Sequence, residues 1–384
     1  MARMVDGATA NAAALGVDHA QLQRLVQRVQ RALDTSPLPS VQFALAKDNT
    51  LLLFKTLGNQ TNDTRYLVYS CTKPLVAAAC WKLMGEGLLD IHATVSRYLP
   101  VFGGGKERVT VEQLLCHSSG FPNATLGPPH WWDSTSRLAQ MAHWELEWTP
   151  GTQVVYHPLS AWWVLAEIIS AVSGVDYRHY IQQAILQPCG LRKLRLGVPQ
   201  GEGDDIAAVA YVGEPPDAQE LRALFGREVQ WPADQDAFYL SFNEPDVRAL
   251  GLPGGGAVST AADMALFYQA LLHNPDEIWQ RATLAQVIGK VYCDVPDPHS
   301  GAPAHRGLGV VVAGDDRFKI NRGMGEKVSA QAFGHQGVGG QVAWGDPQSG
   351  LSFCLLTNGL DANLLRSTRL CTAASNLAAS CLLA

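Results

Sequence analysis

The chain has 384 residues, 47% of them hydrophobic and 17% charged, a balance that builds a buried core and excludes disordered and collagen-like classes. With 29 Lys and Arg against 35 Asp and Glu the formal charge is −6, and no run of five basic residues occurs, so a grip on nucleic-acid phosphates is not expected. The length predicts two or three folding units.

Eight cysteines are scattered without a Cys-x-x-Cys pair, most in apolar surroundings such as Phe353-Cys354-Leu355, and read as buried free thiols. The stretch Met1–Val17 carries Asp6 and a run of Ala, Asn and Thr where a leader would have a basic end and a long apolar stretch. No 18-residue apolar run is present, so no membrane span is expected and the cytoplasm is the expected compartment.

Leu22, Leu25, Val26, Val29 and Leu33 recur at helical spacing, which predicts an amphipathic helix over 19–33. Strands follow at Ser40–Lys47 and Thr50–Leu57 around the turn dipeptide Asp48-Asn49. From residue 70 helical patterns cover 71–86, 110–117, 135–145, 159–173 and 176–187 without a visible strand pair. Residues 200–255 are polar, acidic and rich in Pro and Gly and read as long loops over a cleft. Six of the ten tryptophans (131, 132, 144, 148, 162 and 163) fall within 33 residues; they read as core packing or as an apolar wall beside a substrate cleft. Further strands are expected at Leu308–Ala313, Gln331–Gly334, Gln341–Trp344 and Leu351–Thr357, and a last helix at 361–381. One unit therefore interrupts another: an α/β domain from 1–69 and 305–384, and a mainly helical domain from 70–304.

Nucleotide and zinc motifs are missing, so neither a cofactor nor a metal is expected. No serine has glycines two before and two after it, which rules out the nucleophile elbow of α/β-hydrolases. One candidate for chemistry remains, Tyr69-Ser70-Cys71-Thr72-Lys73-Pro74, where an extended run meets a helix start and places Ser70 and Lys73 one turn apart. A serine hydroxyl needs a base, and a lysine serves only if burial and neighbouring positive charge lower its pKa. A helix N-terminus disfavours an ammonium and offers N–H donors to an oxyanion. On its own the motif is weak, and the pair reads first as an N-cap serine and a solvated first-turn lysine.

Further motifs stand in order along the chain: Leu114-Leu115-Cys116-His117-Ser118-Ser119-Gly120-Phe121-Pro122, Val155-Tyr156-His157, Gly254-Gly255-Gly256-Ala257-Val258-Ser259-Thr260 and Phe333-Gly334-His335-Gln336-Gly337-Val338-Gly339-Gly340. With Ser70-Cys71-Thr72-Lys73 they resemble the serine β-lactamase superfamily over about residues 20 to 380. Within it they are most similar to the class C-like branch that includes family VIII carboxylesterases. The resemblance implies a β-lactamase/penicillin-binding-like antiparallel sheet flanked by helices, with an inserted helical domain. It also implies Ser70 as acylated nucleophile, Lys73 as its partner and Tyr156 as proton relay. Which of Lys73 and Tyr156 is the base stays open, because the two titrate as a unit. His335-Gln336-Gly337 aligns with the family's third motif. By that alignment Val338 N–H and Ser70 N–H form the oxyanion hole, His335 orients substrate or favours the phenolate of Tyr156, and Gly337 lets the strand approach the acyl group.

One departure matters. Two residues after the tyrosine, where β-lactamases and penicillin-binding enzymes carry Asn or a similar polar residue, stands Pro158, without a side-chain donor or acceptor. That argues against β-lactam recognition and leaves ester cleavage unaffected. The expectation is a carboxylesterase for small-molecule esters with short to medium acyl chains. The alternatives are a β-lactamase or DD-peptidase-like amide hydrolase, an acyltransferase using the same acyl-enzyme, and a catalytically silent scaffold; assembly into homo-oligomers is left open.

Overall fold

The computed structural model describes residues 15–226, 228, 237–298 and 301–383; most of the stretch read above for a leader lies outside them. Strands β1 (Ser40–Lys47) and β2 (Thr50–Gly58) form the expected hairpin. Its turn residues Asp48 and Asn49 have φ of 48° and 56°, the left-handed backbone that a two-residue hairpin turn demands and that Asp and Asn tolerate. With β3 (Val311–Val312), β4 (Phe333–Gly337), β5 (Gln341–Gly345) and β6 (Leu351–Thr357) they make a six-stranded antiparallel sheet in the order β2-β1-β6-β5-β4-β3.

The longer helices are α1 (His19–Asp34), α2 (Lys73–Gly85), α3 (Ser160–Ser173), α4 (Ala261–His273) and α5 (Leu364–Ala379). Leu25 and Val29 of α1 and Leu370 and Ala374 of α5 share one core with Phe43 and Leu45 of β1. Ala44 and Ala46, which alternate with them, belong to a second core with α2, α3 and α4. Both faces of β1 are thus covered, which explains an apolar run in place of strict alternation. Helix α4 lies across β1, β5 and β6 although its residues fall within 70–304. In α2 every residue from Leu75 to Trp81 is buried; a helix apolar on all sides belongs at the centre of the protein.

The structure corrects several sequence expectations. The strand expected over 308–313 shrinks to Val311–Val312 because Gly309, at φ 82°, turns the chain against α2: a Cβ there would meet the Cβ of Ala77 at 2.4 Å. The next strand starts at Phe333 and continues through His335 to Gly337, pairing with Gln341–Gly345. Strand pairs do exist in the middle of the chain, since Tyr66–Leu67 and Arg195–Leu196 both flank Ala257–Ser259. The region 200–255 is not only loop; it contains Ala210–Val212, parallel to Gly359–Asp361, and helices at Ala218–Phe225, Ala237–Ser241 and Pro245–Leu250. Such short elements carry too few residues for their periodicity to register.

All eight cysteines are unpaired and six are buried. No described helix is long and apolar enough to cross a membrane.

Candidate active site

Ser70 sits in a 3-10 turn, Tyr69–Thr72, that leads into α2. The turn is pinned from both sides. Val68 N–H donates to Ala257 O (3.0 Å) and Ala257 N–H to Thr72 Oγ1 (3.0 Å), while the Cys71 thiol donates to His335 O in β4 (3.2 Å). Tyr69 has φ 44°, a left-handed backbone that a bulky residue adopts only when its surroundings hold it there, at a cost of about 1–3 kcal/mol. Its hydroxyl donates to Tyr239 O at 3.1 Å and its ring packs edge-on to Phe242 at 5.3 Å. The strained residue turns the following Ser70 side chain into a cavity of about 660 Å³.

Lys73, Tyr156 and Ser70 meet at one oxygen. Tyr156 OH donates to Ser70 Oγ at 2.7 Å, and Lys73 Nζ lies 3.1 Å from the same atom. Lys73 is fully buried, and its Nζ also donates to Pro158 O (2.9 Å) and Gly254 O (2.6 Å). The rings of Tyr156 and Trp162 stand 4.9 and 5.4 Å from this nitrogen. Burial, reinforced by the positive charge of Arg306, holds the Lys73 amine well below the usual lysine range. Burial pushes the Tyr156 phenol above its usual range, against smaller opposing effects of the Ser70 hydrogen bond and of Arg306.

His335 also lines the cavity, its ring 6.0 Å from that of Tyr156. Its Nδ1–H donates to Gln336 O (2.5 Å), and its buried Nε2 has no hydrogen-bond partner. Burial first, then the neighbouring cationic groups Lys73 and Arg306, hold the imidazole well below the usual histidine range, which disfavours a positive charge on it beside Tyr156. Arg306, which the sequence reading passed over, is the cation there: its guanidinium carbon is 5.7 Å from the Tyr156 ring centre and its Nε is buried without a partner. Its only sequence signal was a charge just ahead of the expected apolar strand.

Val338 and Gly337 lie on the cavity wall beside Ser70. A Cβ at Gly337 would meet Val68 O at 2.6 Å, so the first thing this glycine admits is the backbone that leads to Ser70.

The apolar wall does not come from the clustered tryptophans. Leu159, Phe238, Tyr239 and Phe242 supply it, the last three from the region read as loop. Trp162 is buried against Lys73, while Trp131 and Trp163 line a second cavity of about 450 Å³ that shares Pro158, Leu159 and Phe238 with the first. Among the described residues no group of three His, Cys, Asp or Glu is arranged to hold a metal.

An antiparallel sheet flanked by helices, with a Ser-x-x-Lys pair opening a buried central helix, defines a hydrolase of the serine β-lactamase superfamily. The chain belongs to the beta-lactamase family, whose model matches residues 25–370. It is 25% identical to Esterase/beta-lactamase LipL of Mycobacterium tuberculosis over 322 residues, 78% of this chain and 70% of that one. A penicillin-binding protein homologue from Caulobacter crescentus superimposes with a TM-score of 0.75 at 24% identity, covering 94% of this chain and 98% of the other. A family VIII carboxylesterase does so with a TM-score of 0.75 at 20% identity, over 94% and 99%.

Proposed function

We propose that the chain is a serine carboxylesterase acting on short- to medium-chain carboxylic esters through an acyl-enzyme on Ser70. The observation that carries this reading is the convergence of Tyr156 OH and Lys73 Nζ on Ser70 Oγ in a cavity with an apolar wall.

Two of the three hydrogen-bonding positions of Lys73 Nζ are taken by the carbonyls of Pro158 and Gly254. In the neutral amine both N–H bonds are then spent, and the lone pair faces the Ser70 hydroxyl. Lys73 is the general base of this reading and Tyr156, a neutral phenol, the acid. Ser70 Oγ bonds to the ester carbonyl carbon as its proton passes to Lys73 Nζ. The C–O bond to the alcohol breaks as Tyr156 OH protonates the departing oxygen, and Lys73 returns its proton to the phenolate. Water repeats the sequence to release the acid. The N–H groups of Ser70 and Val338 receive the carbonyl oxygen, with about 3–4 kcal/mol at stake per donor.

Esterase and carboxylesterase stand in the names of two of the similar proteins, and Pro158 offers no side-chain partner for an amide substrate. One observation favours the second reading, an amide hydrolase of β-lactam or peptide type: the Arg306 side chain on the cavity wall would suit a substrate carboxylate. Hydrolysis of p-nitrophenyl esters of graded acyl length and of nitrocefin, by the wild type and by Ser70→Ala, tests both. The esterase reading expects butyrate turnover that Ser70→Ala abolishes; nitrocefin turnover faster than that of every ester would replace it.

A further inference from the structure

The run His117-Ser118-Ser119-Gly120-Phe121 takes no part in the chemistry assigned above, yet each of its residues bonds the segment 147–160 that presents Tyr156. Gly120 O accepts from Glu147 N–H (2.7 Å) and Ser118 O from Gly151 N–H (2.8 Å). Ser119 Oγ and Phe121 N–H both reach His157 Nε2, at 3.1 and 3.2 Å, and Phe121 O accepts from Ser160 Oγ (2.9 Å). His117 holds the two neighbours of Tyr156 itself. Its carbonyl accepts from Val155 N–H (3.2 Å), its Nδ1 accepts from His157 N–H (3.0 Å), and its ring lies 4.8 Å from the Tyr156 ring with an interplanar angle of 36°.

His117 does this from a φ of 60°, a left-handed backbone that few side chains tolerate. Because Nδ1 accepts a hydrogen bond the ring is neutral with its proton on Nε2, as its burial also favours. The imidazole touches neither Ser70 nor Lys73 by hydrogen bond. What it fixes is the phenol.

We propose that His117 is a positioning residue for Tyr156, setting the phenol oxygen on Ser70 by accepting hydrogen bonds from the backbone on both sides of it. The inference rests on the acid–base role proposed for Tyr156.

The test is a double-mutant cycle on the full chain with p-nitrophenyl butyrate and ethyl butyrate. His117→Gly keeps the left-handed backbone without strain but removes acceptor and ring. A misplaced catalytic group costs up to about 10²-fold, so kcat should fall by about 10-fold or more. The fall should be larger for ethyl butyrate, whose poor leaving group depends on the Tyr156 proton, than for the p-nitrophenyl ester. In a Tyr156→Phe background the same change should cost almost nothing. His117→Asn, whose Oδ1 stands in for Nδ1 and which tolerates positive φ, should stay within about threefold of wild type, since the acceptor is what it retains. Additive losses in the cycle overturn the inference. So does a folded His117→Asn enzyme that loses 10-fold or more, an outcome that decides the matter even if His117→Gly does not fold. Tyr156→Phe with full activity is a different result and removes the role of Tyr156 itself.

Discussion

Lys73 Nζ lies 2.6 Å from the carbonyl oxygen of Gly254, a contact that brings together residues 181 positions apart in the sequence. With Pro158 O at 2.9 Å it commits two of the amine's protons to carbonyls, so the state of the third position decides whether Lys73 donates to Ser70 or accepts from it.

The pH profile follows from that. Lys73 must be an amine to act, and its pKa is well below the usual lysine range; activity is lost only as the pH falls through that lowered value. The Tyr156 phenol must stay protonated to donate, and its pKa is raised, so the alkaline limb lies above the ordinary phenol range. We expect the acid limb of kcat/KM for p-nitrophenyl butyrate to lie well below the ordinary lysine range, measured against controls for spontaneous hydrolysis. An acid limb centred in the ordinary lysine range, near pH 10, would contradict the assignment of Lys73 as base.

Arg306 gives a second handle on the same profile. Its charge lowers the pKa of Lys73 and opposes the rise at Tyr156. Arg306→Gln removes the charge and keeps much of the bulk, so both limbs should move to higher pH, the acid limb visibly so. An unshifted acid limb would mean that burial alone depresses Lys73.

The order of motifs in the sequence was enough to anticipate the sheet, both terminal helices and the Ser70, Lys73 and Tyr156 set that the structure brings to one oxygen. The helices and the first hairpin rest on long periodic segments; the sheet as a whole and the role of Tyr156 rest on the family resemblance of the ordered motifs, since a tyrosine alone reads as a packed aromatic. Arg306 and the wall formed by Phe238, Tyr239 and Phe242 were not legible, because nothing in local spacing says which side of a one-turn helix or an isolated bridge faces a cavity. For the clustered tryptophans the sequence left a core and a cleft wall open, because an aromatic cluster fits both; Trp131, Trp144, Trp162 and Trp163 are buried in the core.

Gly337 tests how tightly the nucleophile turn is held. A Cβ at this position would stand 2.6 Å from Val68 O and 2.9 Å from Gln341 Cβ, and neither a backbone carbonyl in a pinned turn nor a paired strand can give way cheaply. Gly337→Ala should cost about 1–3 kcal/mol of stability, the usual range for overpacking. By displacing the turn it should also lower kcat/KM by up to about 10²-fold. Denaturant midpoints and ester turnover on the same preparations measure both. A variant as active and as stable as the wild type would show that the strand and the turn are free to separate.

His157 makes acid stability measurable at the loop that carries Tyr156. It is fully buried; Nδ1–H donates to Val155 O at 2.6 Å and Nε2 accepts from Phe121 N–H, an arrangement that only the neutral ring satisfies. Burial brings its pKa down from 6.5 to about 4. The unfolded chain therefore binds the proton first as pH falls, and stability present above pH 6.5 is lost between 6.5 and about 4, to a limit of about 3 kcal/mol. His117 and His335, also depressed, push in the same direction. His157→Gln offers an N–H donor and an oxygen acceptor at every pH, so it should start less stable at pH 7 yet lose less between pH 6.5 and 4 than the wild type. Denaturant midpoints across that interval give the comparison, and equal slopes for the two proteins would show that the His157 proton plays no part in acid unfolding.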